Sequence, residues 1–144
     1  MKPTFHYLIM AIQSMIHKEL LTALDDTPLS MGQPKVLDYL LEHDGYSQKD
    51  IAVGCYIEQP TLTVLLNRME NSGLVERRMK DNNRRTLYVY LTDDGRKYGN
   101  RIKEEFDRIE EIAFGGLSGD DKVMIERNIN QIFENLKKKR GIEG

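Results

Sequence analysis

The feature that most constrains the fold of this 144-residue chain is a change of hydrophobic period at Gly73. Before it, apolar residues recur every three or four positions, first behind Ser47 and then behind Pro60, which predicts two helices joined by a tight turn. After it, residues 74–78 and 86–91 alternate with period 2 and are rich in β-branched and aromatic side chains, which predicts two short strands. Few folds place a two-stranded hairpin directly after two short helices, so this order narrows the choice of architecture.

Helical patterns flank this unit at both ends of the chain. Apolar residues at steps of three and four predict a helix over about residues 5–24, and another pattern predicts a long helix behind Thr92. Ser118 is the expected N-cap of the last helix, and Ser30 with Gln33 is typical of a capping box that opens a further one. The predicted fold class is therefore mostly α with a small β-hairpin (α+β).

The predicted helices at the two ends of the chain carry apolar faces that must pack against another surface. A hairpin directly behind a helix-turn-helix is a wing, and we expect residues 30–92 to form this winged helix-turn-helix part of one domain, 1–144. Residues 1–29 and 93–144 would then form dimerisation helices, because packing against a second chain buries their apolar faces. The alternative is a monomer in which these helices form a compact cap.

The charge distribution points to a polyanionic partner despite a net charge of −2. Residues 1–46 carry three Lys/Arg against six Asp/Glu, whereas residues 74–101 carry eight against Glu76, Asp81, Asp93 and Asp94, a local balance of +4. A segregated patch acts within a Debye length, about 10 Å at moderate salt, so it matters more than the total. The alternative is a set of ordinary solvated charges. The eight cations are Arg77, Arg78, Lys80, Arg84, Arg85, Arg96, Lys97 and Arg101.

Several classes of protein are not expected. No apolar run approaches the roughly 18 residues that cross a bilayer, the N-terminus has no signal-peptide pattern, and the lone Cys55 has no disulfide partner, so we expect a cytoplasmic protein. The sequence has no Gly-rich phosphate loop, nucleophile elbow or carboxylate–histidine cluster, so we expect no enzyme and no cofactor. His6, His17 and His43 show no metal-ligand spacing with Cys55, so no metal is expected.

Four blocks of residues, in this order and spacing, resemble the MarR (multiple antibiotic resistance regulator) family. They span about residues 30–96, and the helical layout is similar over the whole chain. The blocks are Gln33-Pro34-x-Val36-Leu37-x-x-Leu40, Ser47-Gln48-x-x-Ile51-Ala52, Pro60-Thr61-x-Thr63-x-x-Leu66-x-Arg68-Met69-Glu70-x-x-Gly73-Leu74-Val75-x-Arg77, and Arg85-x-x-x-Val89-x-Leu91-Thr92-x-x-Gly95.

The resemblance implies a transcriptional regulator, a homodimer whose first, fifth and sixth helices intertwine on a pseudo-palindromic double-stranded DNA operator. The fourth helix would enter the major groove, where its short polar and methyl groups suit base edges, and the wing tip would reach the minor groove. Ser47 and Gln48, at a helix N-terminus, suit a phosphate, and Arg68 either reaches a phosphate or packs its stem on the wing. The DNA-binding candidates are Ser47, Gln48, Gln59, Thr61, Thr63, Val64, Asn67, Arg68, Arg77, Arg84 and Arg85.

Two positions depart from the family pattern. Members commonly carry an Asp-x-Arg pair in the wing, but here Asn83 stands at the acid position before Arg85, so Arg84 can share the role of Arg85. Many members also carry a cation near Val64, and the fourth helix has none before Arg68. Base recognition would therefore depend more on apolar contact than on arginine.

The resemblance also implies a repressor that is relieved by a small aromatic or anionic effector. Candidate effector-binding residues lie on the first two helices, although such side chains are also typical of interfaces and surfaces; they are His6, Tyr7, Met10, His17 and Tyr39. Some members sense peroxides through a cysteine in the first helix, but Cys55 lies at the helix-turn-helix bend and is expected to be a small buried residue. The alternative function is a winged-helix protein-interaction module without specific DNA binding, which the basic wing disfavours.

Overall fold

The structure is a computed structural model that describes residues 2–80 and 82–141. The predicted class, mostly α with a small antiparallel sheet, is confirmed. The elements of the described residues are α1 (Phe5–Ala23), α2 (Gln33–Glu42), β1 (Tyr46–Ser47), α3 (Gln48–Cys55), α4 (Gln59–Asn71), β2 (Val75–Lys80), β3 (Asn83–Leu91), α5 (Asp93–Ala113) and α6 (Gly119–Lys139).

The sheet contains one strand more than the sequence predicted. Its order is β1-β3-β2, all antiparallel, and the two residues of β1 pair with Val89 and Tyr88 of β3. The strands β2 and β3 extend to a pairing of Lys80 with Asn83, so the interpretation of residues 80–85 as a connecting loop was wrong. Asn82 takes a left-handed φ of +71°, which an Asn tolerates and a tight turn needs. Asp81, part of the predicted loop, lies outside the described residues.

The start of α2 confirms one half of the predicted capping box, because the Gln33 side chain accepts the N–H of Ser30 at 3.4 Å, but it differs in the N-cap. Its N-cap is Gly32, with a φ of +89°, and not Ser30. A helix that began behind Ser30 would need the N–H of Pro34 for its first bond to the Ser30 carbonyl, and proline has none. The N–H of Gln33 donates to that carbonyl instead, at 3.2 Å.

The other predicted caps are confirmed. The hydroxyl of Ser47 accepts the N–H of Asp50 at 3.1 Å, and the hydroxyl of Thr92 accepts the N–H of Gly95 at 3.0 Å. Ser118 forms a reciprocal capping box with Asp121 at the start of α6. These bonds satisfy backbone donors that a helix start leaves without partners.

The described residues fall into two compact units, divided between Ile109 and Glu110. The first holds one apolar core, which α1 joins through Leu20 and its C-cap Leu24, and α5 joins through Ile102 and Ile109. Its centre is formed by fully buried aliphatic residues of α2, α3 and α4: Val36, Leu37, Leu40, Ile51, Leu62, Leu66 and Met69. This core fixes the two short helices and the base of the hairpin as one body.

Much of the apolar surface on the flanking helices is uncovered in the single chain. On α1, most of the predicted apolar stripe is exposed, from Ile12 at 44 % to Met15 at 59 %. The helix α6 has no buried residue, although Val123, Met124, Ile129, Phe133 and Leu136 recur at helical spacing. Exposed apolar stripes of this kind are typical of faces that a partner covers.

Candidate nucleic-acid interface

Two short helices form the centre of the candidate interface. The helix α3 begins behind Ser47, and its C-cap, Tyr56, has a left-handed φ of +55° that turns the chain towards α4. Pro60 is the second residue of α4, one position later than predicted, where its missing N–H still removes no helical bond. The buried residues Leu62, Leu66 and Met69 fix one side of α4 to the core, so its opposite side is presented to solvent.

The solvent side of α4 carries the predicted base-reading residues. They are all exposed: Gln59, Thr61, Thr63, Val64, Asn67 and Arg68. The hydroxyl of Thr63 donates to the Gln59 carbonyl at 3.0 Å and lies 3.5 Å from the donor Nε2 of Gln48. Hydroxyl, amide and methyl groups are therefore exposed on this side of α4, and these are groups that read base edges in a major groove.

Arg77 differs from the other candidate arginines because it is mostly covered. Its side chain is 15 % exposed, and its guanidinium donates to Glu70 at 3.0 Å, Asn67 at 2.7 Å and Gln48 at 3.3 Å. Hydrogen bonds from the Arg77 side chain and backbone hold the pKa of Glu70 below its usual value. This ion pair therefore connects β2 with α3 and α4.

The wing carries the candidate cations Arg84 and Arg85, and both are exposed. Asn83 shapes the backbone beside them: its Oδ1 accepts the backbone N–H of Arg85 at 3.2 Å, and its Nδ2 donates to Thr86 at 3.0 Å. The Asn83 side chain thus orients the main chain of Arg85 and leaves the guanidinium without this partner.

Lys80 is a tip cation that the sequence did not place among the candidates. Its Nζ lies 4.2 Å from the ring centroid of Tyr88 on the paired strand, and Arg78 lies 4.5 Å from that of Tyr90. Cation–π contacts of this kind hold the side chain over the ring. Arg78 and Lys80 alternate along β2, as Tyr88 and Tyr90 do along β3, and this pattern is the signal that could have found it.

The predicted +4 segment is not one continuous cationic patch. Arg77, Arg96 and Arg101 pair with carboxylates from outside the segment, Glu70, Asp44 and Asp26, at 3.0, 3.2 and 2.6 Å. Arg78 pairs with Glu76. Within the described part of the chain, the cations of the segment without a carboxylate within 4.0 Å are Lys80, Arg84, Arg85 and Lys97, so positive charge is concentrated towards the wing tip.

The effector candidates do not share one cavity of the chain. His6, Tyr7 and Met10 are exposed on α1, and His17 lines an open groove on the same helix. Tyr39 stacks on His43, with 3.9 Å between ring centroids, and lines a separate cavity of about 220 Å³ with Asp38 and Lys103.

Cys55 is 2 % exposed, so the prediction of a small buried residue is confirmed. Burial raises the pKa of its thiol to about 11. A thiol that holds its proton this firmly is a poor nucleophile at neutral pH. Among the described residues, no three His, Cys, Asp or Glu side chains are grouped to hold a metal ion, and no helix is long and apolar enough to cross a membrane.

The helix-turn-helix, the hairpin behind it and its exposed tip cations define the class: a winged helix-turn-helix protein. In comparisons with known proteins, the family model described as "MarR family" matches residues 29–87. This part of the chain is similar to that family, and similar curated proteins are named as transcriptional regulators, which agrees with the resemblance found in the sequence.

Individual relatives support this similarity. The HTH-type transcriptional regulator FarR of Neisseria gonorrhoeae is 29 % identical over 74 % of this chain and 72 % of its own length. The organic hydroperoxide resistance transcriptional regulator of Bacillus subtilis is 27 % identical over 92 % of this chain and 89 % of its own. The S. aureus MepR–DNA complex is a similar solved structure, with 26 % identity, a TM-score of 0.83 and coverage of 94 % of this chain and 99 % of that one.

Proposed function

We propose that this protein is a transcriptional regulator that binds a pseudo-palindromic double-stranded DNA operator as a homodimer and represses transcription until a small molecule releases it. The observation that carries the proposal is the combination of an exposed, polar α4 surface with uncovered cations at the wing tip. These are the two chemistries that base edges and phosphates require. The S. aureus MepR relative was solved with DNA, which supports the same use here.

The proposed contacts divide by chemistry. Ser47 and Gln48 lie at the start of α3, where backbone and side-chain donors suit a phosphate. Arg84 and Arg85 reach the backbone or the minor groove from the wing, and the exposed Arg68 reaches a phosphate from α4. The base-reading set on α4 is Gln59, Thr61, Thr63, Val64 and Asn67, and Arg77 supports it from β2.

The flanking helices supply the dimer. We propose that residues 30–92 form the DNA-binding part, and that residues 1–29 and 93–144 form the dimerisation part of one domain. The support is the exposed apolar surface of α1 and of α6, which a second copy of the chain would cover. A dimer places two copies of α4 on the DNA, and this requires half-sites about one helical turn apart, or a multiple of it.

We also propose that binding of a small effector releases the protein from DNA. A small aromatic or anionic molecule that binds near His6, Tyr7, Met10, His17 or Tyr39 would change the separation of the two recognition helices, because those residues lie on α1 and α2. We also propose that the protein has no enzymatic activity and is cytoplasmic. The support is that similar proteins are named as transcriptional regulators, which bind DNA, and bacterial DNA lies in the cytoplasm.

Fluorescence anisotropy with a labelled random duplex, at low and at moderate salt, tests the proposal. Binding should be present at low salt and fall steeply as salt rises, because each phosphate contact releases counterions. Absence of binding at low salt would overturn the proposal and favour the alternative, a winged-helix module that binds only protein. The variant Arg84→Ala/Arg85→Ala, which removes two of the uncovered tip cations without touching the core, should bind more weakly and with a shallower salt dependence.

A further inference from the structure

Arg77 is held too firmly to serve as an ordinary phosphate contact. Its Nη2 donates both to Oε1 of Glu70 and to Oδ1 of Asn67, and its backbone N–H donates to the other Glu70 oxygen at 2.8 Å. Its Nη1 donates to Oε1 of Gln48. Reaching outward would break all three side-chain contacts and leave a half-covered carboxylate without its cation.

The pairing fixes which way two amide side chains face. A guanidinium carries only donors, so the amide atoms that meet it must be the oxygens of Asn67 and Gln48. The Nε2 of Gln48 accordingly faces Thr63, 3.5 Å from its hydroxyl oxygen. Asn67 is exposed, so the group that it offers to an approaching partner is its NH₂.

An amide that offers only donors reads bases selectively. The bidentate contact of Asn or Gln with adenine needs the amide oxygen for N6–H and the amide N–H for N7. Arg77 already takes one of the two lone pairs of that oxygen, at 2.7 Å, and keeps the oxygen turned towards its guanidinium. Guanine instead presents two neighbouring acceptors, N7 and O6, which an NH₂ group can serve.

We propose that Arg77 is a positioning residue that turns Asn67 into a donor-only reader, with Gln48 held in the same hydrogen-bonded network, and so biases the operator towards guanine and against adenine. This inference rests on the proposed DNA binding and adds a base preference to it. Glu70 takes part in this positioning, because its two carboxylate oxygens accept hydrogen bonds from the backbone N–H and the guanidinium of Arg77.

Selection from a pool of random duplexes, followed by sequencing, tests the inference. The wild type, Asn67→Ala and Arg77→Met are compared at equal salt, and the base position that loses its preference in Asn67→Ala is the one that Asn67 reads. The wild type should enrich guanine there. Arg77→Met frees the amide oxygen and should shift the preference towards adenine by about fivefold or more. Its salt slope should equal that of the wild type, because no phosphate contact is lost.

If Arg77→Met does not melt cooperatively, it is not folded, and a second variant tests the inference in its place. Asn67→Asp retains an oxygen for Arg77 but replaces the outward NH₂ with another oxygen, so the preference should move from guanine to cytosine, whose N4 donates. Three results would overturn the inference but leave the proposed function intact. They are enrichment of adenine by the wild type at the position that Asn67 reads, the absence of any base position that depends on Asn67, and unchanged preferences in a folded Arg77→Met or in Asn67→Asp. A wild type that binds no duplex would overturn the proposed function, and the inference with it.

Discussion

At the scale of single residues, we expect the exposed arginines and the covered Arg77 to act differently in DNA binding. Arg85 is exposed on the wing, and its backbone is held by Asn83. Arg85→Ala should weaken binding to all duplexes alike and lower the magnitude of the slope of log K against log salt by about 1, because one phosphate contact is lost. Anisotropy over a salt series measures both. An unchanged slope would show that Arg85 does not reach a phosphate.

Thr63 should act on sequence preference instead of on the salt slope. Its methyl suits a thymine methyl, whereas its hydroxyl bonds within the protein to the Gln59 carbonyl. Thr63→Ala and Thr63→Ser both lose this methyl at its γ position, so both should change the ranking of duplexes while the slope stays constant. Thr22→Ser, at an exposed position of α1 outside the proposed DNA-contacting set, is the control for a general effect of shortening a threonine. A loss that is equal on every sequence would contradict the division of roles.

Cys55 predicts a pH dependence of stability. Its pKa is raised to about 11 in the folded chain, above the usual value, because burial disfavours the thiolate. Its contribution to stability is therefore fully present below about pH 9 and is lost as the pH rises towards 11, where the unfolded chain ionises first. The free energy of unfolding of the wild type should fall relative to that of Cys55→Ala over this window. Parallel curves for the two proteins would contradict the raised pKa.

At the scale of elements, the junction between α5 and the wing depends on a glycine. A Cβ at Gly95 would collide with the carbonyl oxygen of Leu74, which is backbone and cannot turn away. Gly95→Ala should lower the free energy of unfolding by about 1–3 kcal/mol or more, the usual cost of overpacking. Gly119→Ala, in the first turn of α6 with nothing within 4 Å of its Cβ position, is the matched control and should be neutral or stabilising. Chemical denaturation measures both, and equal effects would contradict the described contact.

The elements also show where sequence reasoning reaches its limit. Local signals located the helices and the hairpin because caps such as Ser47 and Ser118 act within one helical turn. The two-residue β1 was missed because the pairing of Tyr46 with Val89 is a long-range contact, which no local sequence pattern predicts. The hydrogen-bonded network of Arg77, which the sequence predicted only as a DNA contact, was missed for the same reason, since its partner Gln48 is 29 positions away. The Ser30 cap was predicted wrongly because Pro34 removes the donor that such a start needs.

At the scale of the whole molecule, the uncovered apolar stripe of α6 predicts self-association. Ile129→Glu places a charge in that stripe and should shift the protein from dimer to monomer in sedimentation equilibrium, because burying an unpaired charge is costly. Gln131→Glu adds the same charge two residues on, about 200° around the helix, and should leave the dimer intact. Monomeric wild-type protein at micromolar concentration would contradict the proposed assembly.

The central claim, a dimer that places two recognition helices on one duplex, is tested most directly by changing the spacing of the half-sites. The duplex enriched by selection is compared with one carrying five extra base pairs at its centre, which turn the half-sites to opposite faces of the DNA. Because the dimer then engages only one half-site, anisotropy should show binding weaker by about 100-fold or more. An insertion of about ten base pairs should weaken binding less, because it returns the two half-sites to the same face of the DNA. Equal affinity for the original duplex and the five-base-pair insertion would contradict the account.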